Sequence, residues 1–291
     1  MSVSAMNRVA PIATAPAASI EVVAIGGLAT VQDEGRAGWA HLGVSRSGAA
    51  DLDAFHLANR LVGNPENCAV VEITGGGFEF RLSRAATVAL TGALCPGMDS
   101  HAAATLAAGT HVMIGWPLTG LRSYLAVRGG IDVEPVLGSR STDTLSGLGP
   151  APLQPGDLLT VGPAPHELPA GFVAPPARIP WKIKIVLGPR DNWFSTEAVD
   201  LLLASEWQVS ADSDRIGTRL LGPALPRAID GELPSEPTLP GALQIPPNGQ
   251  PILFGPDAPV TGGYPVIATV VAEDLSLCGQ LSPGSSIRFR L

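Results

Sequence analysis

Basic residues are scarce and scattered in this chain of 291 residues. Only two lysines are present, Lys182 and Lys184, and the formal net charge is −8. A protein that binds nucleic acid or an anionic membrane surface needs a basic patch. The composition therefore argues against nucleic acid and membranes as partners.

Cysteine is also rare, with three residues far apart at positions 68, 95 and 278. This odd, sparse set does not form a disulfide framework, and no CxxC pair indicates a zinc site. We expect all three thiols to lie in the core of a cytoplasmic protein. The chain also lacks HExxH, GxSxG and Walker A motifs, and its five histidines have no metal-ligand spacing. Hydrolase triads and metal sites in this chain thus have no motif to support them.

Long apolar runs are absent, and none approaches the roughly 18 residues needed to cross a bilayer. Residues 1–19 are small and apolar but contain no continuous hydrophobic stretch. We therefore expect a disordered leader there rather than a signal peptide.

Glycine and proline, by contrast, are abundant, with 34 and 28 residues spread along the chain. Between them lie short segments rich in Val, Ile, Leu and Thr. Turn-forming residues flank each segment on both sides. Such spacing predicts a mainly β fold of antiparallel barrels or sandwiches with few helices. The predicted strands lie within residues 20–26, 86–94, 110–116, 123–133, 157–162, 182–188, 269–275 and 285–291.

Two stretches have helical periodicity instead. The first precedes Gly63, which is a C-cap residue type, and Pro65, which stops a helix. The second begins at Ser195 or Thr196 as N-cap, with Glu197 in its first turn.

A proline-rich stretch divides the chain. Residues 162–180 contain six prolines, which is typical of a stiff spacer. We predict an N-terminal β subdomain over residues 20–165, a connector over 166–180 and a C-terminal β subdomain over 181–291.

Polar side chains that could carry chemistry concentrate in a few loops. Gln32, Asp33 and Arg36 alternate with glycines directly after a predicted strand, and Ser47 and Asp51 follow. Glycines allow a backbone to approach a ligand closely. The same pattern also fits an Asp–Arg bridge that fixes a loop, and spacing alone leaves both interpretations open.

A second loop places Arg140 between Ser139 and Ser141. A guanidinium is a planar fork of donors that suits a carboxylate, a carbamate or a phosphate. A structural bridge explains this arrangement equally well.

Two further loops lie in the C-terminal part. One contains Asp214 and Arg215, and the other contains Gln244 and Asn248, whose amides can bind amides or ureido groups. Thr261 and Tyr264 flank a Gly-Gly pair that could face a ligand. Ordinary turn chemistry is the alternative for each of these loops.

These blocks, in this order, resemble the second subunit of the biotin-dependent carboxyltransferase family, also called allophanate hydrolase subunit 2. That family includes the C component of 5-oxoprolinase and the C-terminal half of the urea carboxylase carboxyltransferase domain. The resemblance runs from about residue 20 to 291 and is carried by residues 31–65, 72–77, 125–142, 213–220, 235–252 and 261–270. The chain departs from the family pattern at Ser45, Ala50, Leu94 and Arg190, where relatives usually have Pro, Met, Asp and Gln.

The resemblance implies two β-barrel subdomains of cyclophilin-like architecture and a partner, the first subunit of the family. In the 5-oxoprolinase members, ATP drives opening of a lactam ring, and a third, amidohydrolase-like subunit takes part. In the carboxyltransferase members, CO₂ moves from carboxybiotin on a partner carrier protein to a urea-like amide. A further branch has a regulatory role and binds a kinase-inhibitor-like first subunit. All three functions remain open, with the 5-oxoprolinase type favoured, and the chain alone is expected to be inactive.

Residue types suggest roles at such a site. Oriented donors can stabilise the oxyanion that develops when an amide reacts. We expect Arg36, Arg140 and Arg215 to stabilise this oxyanion or to bind a carboxylate. Asp33 and Asp214 are base candidates, or they orient the arginines. The predicted substrate-binding residues are Gln32, Ser47, Asp51, Ser139, Ser141, Gln244, Asn248, Thr261 and Tyr264. Self-association into a homo-oligomer is also possible, given the positive mean hydropathy of +0.26.

Overall fold

The N-terminal part of the chain forms two β-sheets that face each other. The computed structural model describes residues 18–170, 172–173, 181–229, 231 and 233–291. The strands of this part are β1 Ser19–Ala24, β2 Leu28–Gln32, β3 Val70–Thr74, β4 Phe78–Leu82, β5 Ala86–Leu94, β6 Ala103–Leu106, β7 His111–Ile114, β8 Thr119–Val127 and β9 Leu158–Thr160. One sheet has the order β7-β4-β1-β9 and the other β2-β3-β8-β5-β6, with antiparallel neighbours.

Alternation along the strands gives the five-stranded sheet two apolar faces. On β8, Leu125 and Val127 point into the core between the sheets, whereas Tyr124 and Ala126 point to the opposite face. Both faces must therefore be covered, one by the four-stranded sheet and the other by a helix.

That helix is α1, Leu52–Val62, whose buried Phe55 and Leu61 pack on the outer face. It begins at Asp51, whose carboxylate accepts a hydrogen bond from the backbone N of Ala54, and it ends at Gly63 with a φ of 70°. The predicted first helix and its glycine cap are thus confirmed.

The C-terminal part forms a closed seven-stranded barrel of order β10-β17-β14-β15-β12-β11-β18. The barrel strands are β10 Lys182–Leu187, β11 Trp207–Val209, β12 Gly217–Leu221, β14 Ala242–Gln244, β15 Ile252–Phe254, β17 Val266–Val270 and β18 Ser286–Arg290. A separate two-stranded sheet consists of β13 Glu236–Pro237 and β16 Thr261–Gly262. Helix α2, Thr196–Ala204, packs Leu202 into the barrel core and has the predicted Ser195 as its N-cap.

The mainly β fold with a closed barrel is therefore as expected. The N-terminal part differs from the expected second barrel, because its strands divide into two stacked sheets whose shared core includes Phe78 and Phe80. The strand predicted over 269–275 is also displaced, because β17 spans Val266–Val270 and shares only Thr269 and Val270 with the predicted segment. Strand β17 ends at Val270, and a 3₁₀ turn, Ala272–Asp274, leads into a short helix α3, Leu275–Cys278.

The division into subdomains at the connector stays a prediction. The predicted leader falls mostly on residues 1–17, which lie outside the described residues, as do residue 171 and residues 174–180 of the connector. In the described part of the chain, no helix is long and apolar enough to cross a membrane.

Candidate functional site

Asp33 joins the loop after β2 to the loop that contains residues 139–141. One of its carboxylate oxygens accepts hydrogen bonds from Ser139 Oγ at 2.6 Å, Ser141 Oγ at 2.5 Å and the backbone N of Gly35 at 2.8 Å. The other oxygen accepts from the backbone N of Arg140 at 2.6 Å. Four residues proposed from the sequence thus meet here. Because the chain itself uses both oxygens of this buried carboxylate, the observed contacts make Asp33 an anchor between loops.

Gln32, the last residue of β2, and Arg36, in the loop after it, are fully buried. Gln32 donates from Nε2 to Thr30 Oγ1 and to the carbonyl of Thr142, both at 3.0 Å. Arg36 donates from Nη2 to the carbonyl of Ser141. Direct contact of either side chain with a substrate would require these loops to separate, and their functional roles stay predictions.

Arg140 differs from its neighbours because its guanidinium reaches the surface. Its Nε donates to the carbonyl of Val133 at 2.8 Å, and its Nη2 lies 3.3 Å from an Asp132 carboxylate oxygen. The side chain is about one-third exposed, at 38%. The loop therefore holds this guanidinium in place while it remains accessible to a ligand.

Arg215 joins the barrel to the N-terminal sheets. Its Nε and Nη2 donate to the two carboxylate oxygens of Asp257 at 2.8 and 2.9 Å, and its Nη1 forms a short ion pair with Glu72. All three side chains are buried. Burial alone lowers the pKa of Arg215, but the two carboxylates raise it above its ordinary value, so the guanidinium stays charged. Its observed contacts are therefore all structural.

Ser47 and Asp51 belong to the same buried network. Ser47 donates from Oγ to an Asp257 carboxylate oxygen at 2.6 Å. Asp51 accepts from Nε2 of Gln280 at 2.8 Å, which again connects the two parts of the chain. Burial raises the pKa of Asp51 to about 6, against hydrogen bonds from Ala54 and Gln280 that lower it.

The remaining predicted residues lie on the barrel. Asp214 is exposed and accepts hydrogen bonds from the backbone N of Ile216 and of Gly217. Gln244 donates to the carbonyl of Tyr264 at 3.0 Å. Asn248 accepts from the backbone N of Gln250 within a turn, and Thr261 is exposed on β16. Among the described residues, no hydrogen bond connects these barrel residues to the loops around Asp33.

A cleft of about 390 Å³ opens between the N-terminal sheets and the barrel. One wall comes from residues 34–56, and the other comes largely from residues 214–218, 240–241, 253–256 and 272–279. The cleft is mostly apolar, and its ionisable lining side chains include Glu34, Arg46, Asp53, His56 and Asp214. Such a mixture is typical of small-molecule sites. Of the predicted site residues, Ser47 and Asp214 line this cleft.

Glu34 and His56 form a pair in this cleft that the sequence motifs did not indicate. His56 Nε2 lies 2.9 Å from a Glu34 carboxylate oxygen, and both side chains are partly exposed. Arg46 donates from Nε to the carbonyl of Glu34 at 3.1 Å, and its side chain is exposed. The sequence offered a signal for Glu34 alone, because this residue lies inside the Gln32–Arg36 segment. His56, however, stands on α1, where its position looked like any solvent-exposed helix site.

Comparison with known proteins confirms the resemblance. A family model described as "Carboxyltransferase domain, subdomain A and B" matches residues 42–291. The chain belongs to this carboxyltransferase domain family. The C component of the 5-oxoprolinase of Escherichia coli strain K12 is 39% identical over 93% of this chain and 90% of the relative. The protein of the same name from Haemophilus influenzae is 32% identical over equal shares. The crystal structure of the K. lactis urea amidolyase superposes with a TM-score of 0.88 at 29% identity, over 95% of this chain but 19% of that one.

Two departures from the carboxyltransferase family pattern can now be located. Leu94 ends β5, where it pairs with Thr119, and it is not among the residues that line the cleft. Ser45 donates from Oγ to Asp143 at 2.6 Å, a hydrogen bond that a proline could not make. Neither of these two changes removes a group from the cleft, but Ala50, a third departure, does line it.

Proposed function

We propose that this carboxyltransferase-family chain is the C component of an ATP-dependent complex of the 5-oxoprolinase type. The observation that carries the proposal is the 39% identity to the C component of a 5-oxoprolinase over 90% of that protein's length. The urea amidolyase relatives, in contrast, are matched over less than a fifth of their length. In this proposal the cleft forms one side of a composite site, and the first subunit of the family supplies the other side. An amidohydrolase-like third subunit is a further proposed partner.

The cleft suits a small planar lactam that carries a carboxylate. The exposed guanidinium of Arg46 can pair with the carboxylate, since only its Nε is engaged by the backbone of Glu34. His56 can exchange a proton with the amide N–H, and the Glu34 carboxylate orients the imidazole through Nε2. The apolar remainder of the lining, which includes Leu253 and Phe254, would exclude water around the ring.

The same cleft does not suit ATP. Glu34, Asp53 and Asp214 supply three carboxylates, against two guanidiniums, from Arg46 and Arg122, and one imidazole from His56. The Arg122 guanidinium is buried and already donates to the carbonyl of Gly279. A triphosphate would be repelled there and would find no glycine-rich cradle. We therefore place ATP on the partner side and derive no step through it.

A second candidate function is carboxyl transfer from carboxybiotin on a carrier protein to a urea-like amide. The superposition on the K. lactis urea amidolyase favours this candidate. It uses the same cleft and the same first-subunit partner, so the substrate assay separates the two.

The test is reconstitution. The chain is co-expressed with a first subunit and an amidohydrolase-like subunit. ATP hydrolysis is measured with 5-oxoproline and without acceptor, and carboxyl transfer, which itself uses no ATP, is measured separately with urea and carboxybiotin. We expect turnover with 5-oxoproline in the complex and none with the single chain, because the chain contains half of the site. Transfer of CO₂ from carboxybiotin to urea, without turnover of 5-oxoproline, would replace the proposal with carboxyl transfer, and no reaction with either substrate would reject both.

A matched pair of histidine variants tests the cleft itself. His111 forms an equivalent pair with Glu79, also at 2.9 Å, on the surface of β7. We expect His56→Gln to lower kcat/KM of the complex by roughly tenfold or more, equal to about 1.4 kcal/mol. His111→Gln should leave it unchanged. Equal effects of the two substitutions would remove His56 from the site.

A further inference from the structure

A buried network of charges connects the two parts of the molecule. We call the side chains of Glu72, Arg122, Arg215, Asp257 and Gln280 the joint. Glu72 and Arg122 come from the five-stranded sheet, and the other three come from the barrel side. Each is at most 6% exposed. Buried charges are rare in proteins, because ions that leave water must recover their hydration energy from partners.

Each member of the joint is bound across the boundary between the parts. Arg215 bridges Glu72 and Asp257, and Asp257 also accepts from the backbone N of Thr144 at 3.0 Å. Gln280 accepts from the backbone N of Leu121 at 3.0 Å and of Arg122 at 3.1 Å. Because these bonds are short and fix direction, they allow one relative placement of the two parts.

The joint is also connected to the cleft. Arg122 lines the cleft directly and donates from Nη1 to the carbonyl of Gly279 at 2.6 Å. Ala50, another lining residue, donates its backbone N–H to Glu72 at 2.9 Å. A shift of the joint therefore moves one wall of the cleft relative to the other.

Gly279 lies where the two walls approach each other closely. A Cβ at this position would lie 2.5 Å from the carbonyl O of Ala50 and 2.6 Å from its carbonyl C. The backbone of Gly279 has φ −63° and ψ −17°, which any residue can adopt, so conformational freedom does not explain the glycine. The glycine is instead explained by the close packing of its backbone against the backbone of Ala50.

We propose that Glu72, Arg215 and Gly279 are positioning residues that set the width of the cleft and thereby its affinity for the small amide substrate. The inference rests on the proposed function for the identity of that substrate. They act through the walls of the cleft: Glu72 holds the Ala50 backbone, Arg215 holds Glu72 to the barrel, and Gly279 admits the contact. None of the three needs to touch the ligand.

The first experiment measures the geometry on the full chain alone. Spin labels are attached through unnatural amino acids at Arg81 on β4 and Gln208 on β11, two exposed strand positions in different parts of the molecule. We expect Gly279→Ala to shift or broaden the distance distribution, because the new methyl must move about 1 Å to reach ordinary contact distance. Glu72→Gln should broaden it, since it removes the charge that pairs with Arg215 and, at 3.6 Å, with Nε of Arg122. Leu277→Ala, which trims an exposed side chain on the same short helix, serves as control and should leave it unchanged.

The second experiment separates positioning from stability. In the reconstituted complex, we expect Gly279→Ala to raise KM for 5-oxoproline by roughly tenfold or more, with kcat changed less than about threefold. A purely structural role would instead lower the amount of folded protein and leave KM of the remainder normal.

The outcomes are distinct. An unchanged distance distribution in folded Gly279→Ala protein would overturn the inference, and so would a changed distribution with normal KM. If the Glu72→Gln variant does not fold, the Gly279→Ala variant still tests the inference, because this substitution leaves every charge in place. Failure of the wild-type complex to turn over 5-oxoproline would refute the proposed function, and the labelled chain would still report whether the joint sets the geometry.

Discussion

Asp51 shows how a single residue combines a local and a long-range task. Its carboxylate caps helix α1 through Ala54 and accepts a hydrogen bond from Gln280 on the barrel side. Burial raises its pKa from 3.8 to about 6, and Asp53 and Glu72 nearby add to the rise. The folded protein therefore holds this proton more tightly than the unfolded chain does.

Stability should consequently depend on pH in a defined direction. The contribution of Asp51 is fully present below pH about 4 and is lost as the pH rises through about 6. A pKa rise of roughly two units corresponds to up to about 3 kcal/mol. We expect the free energy of unfolding of the wild type, relative to Asp51→Asn, to fall by up to this amount between pH 4 and 7. Urea unfolding at several pH values measures it, and a difference that stays constant with pH would contradict the assignment.

At the scale of elements, the loop after β2 and the loop at residues 139–141 behave as one unit, because Asp33 accepts hydrogen bonds from both. A carboxylate offers only acceptors, and here every neighbour is a donor. The side-chain amide of an asparagine at this position would place its two N–H donors opposite neighbouring groups that are themselves donors.

Asp33→Asn should therefore destabilise the protein. We expect the free energy of unfolding to drop by about 2–4 kcal/mol, since at least one buried donor loses its partner. Asp99→Asn, at an exposed loop position, is the matched control and should change stability by less than about 0.5 kcal/mol. Equal stability of the two variants in chemical denaturation would show that Asp33 does not anchor the loops.

At the scale of the whole molecule, the joint makes the sheets and the barrel depend on each other. Removal of one partner from a buried ion cluster leaves charges without compensation, which costs far more than the loss of a surface pair. Arg215 is such a partner, because Glu72 and Asp257 both rely on it.

Two arginine variants within the barrel test this dependence. Arg215→Gln should lower the free energy of unfolding by about 3–5 kcal/mol at neutral pH. Arg288→Gln, which removes the exposed pair with Glu206, should lower it by at most about 1 kcal/mol. Calorimetry or denaturant unfolding measures both, and a similar small effect of the two would mean that the joint contributes no stability.

Local signals in the sequence determined the parts of this protein that depend on neighbours along the chain. Helix α1 ends at Gly63 and α2 begins at Ser195 because a left-handed glycine and a capping serine satisfy backbone groups within a few residues. Strand alternation and turn residues indicated a mainly β fold, and the ordered motif blocks indicated the family. Strand β17 begins three residues before the predicted segment, which runs on past Val270 into the 3₁₀ turn Ala272–Asp274.

The tertiary structure decided what those motifs do. Asp33 and Arg140 are separated by 107 residues, and Glu72 and Arg215 by 143, yet each pair is in direct contact. A sequence shows that an arginine and a carboxylate exist, but their pairing depends on which strands are neighbours and how the sheets lie against the barrel. For the same reason the cleft with Glu34 and His56 was invisible in the sequence, since its walls meet only when distant segments fold together. Most of the charged motif residues thus proved to face inward, where water is excluded and partners must come from the chain itself.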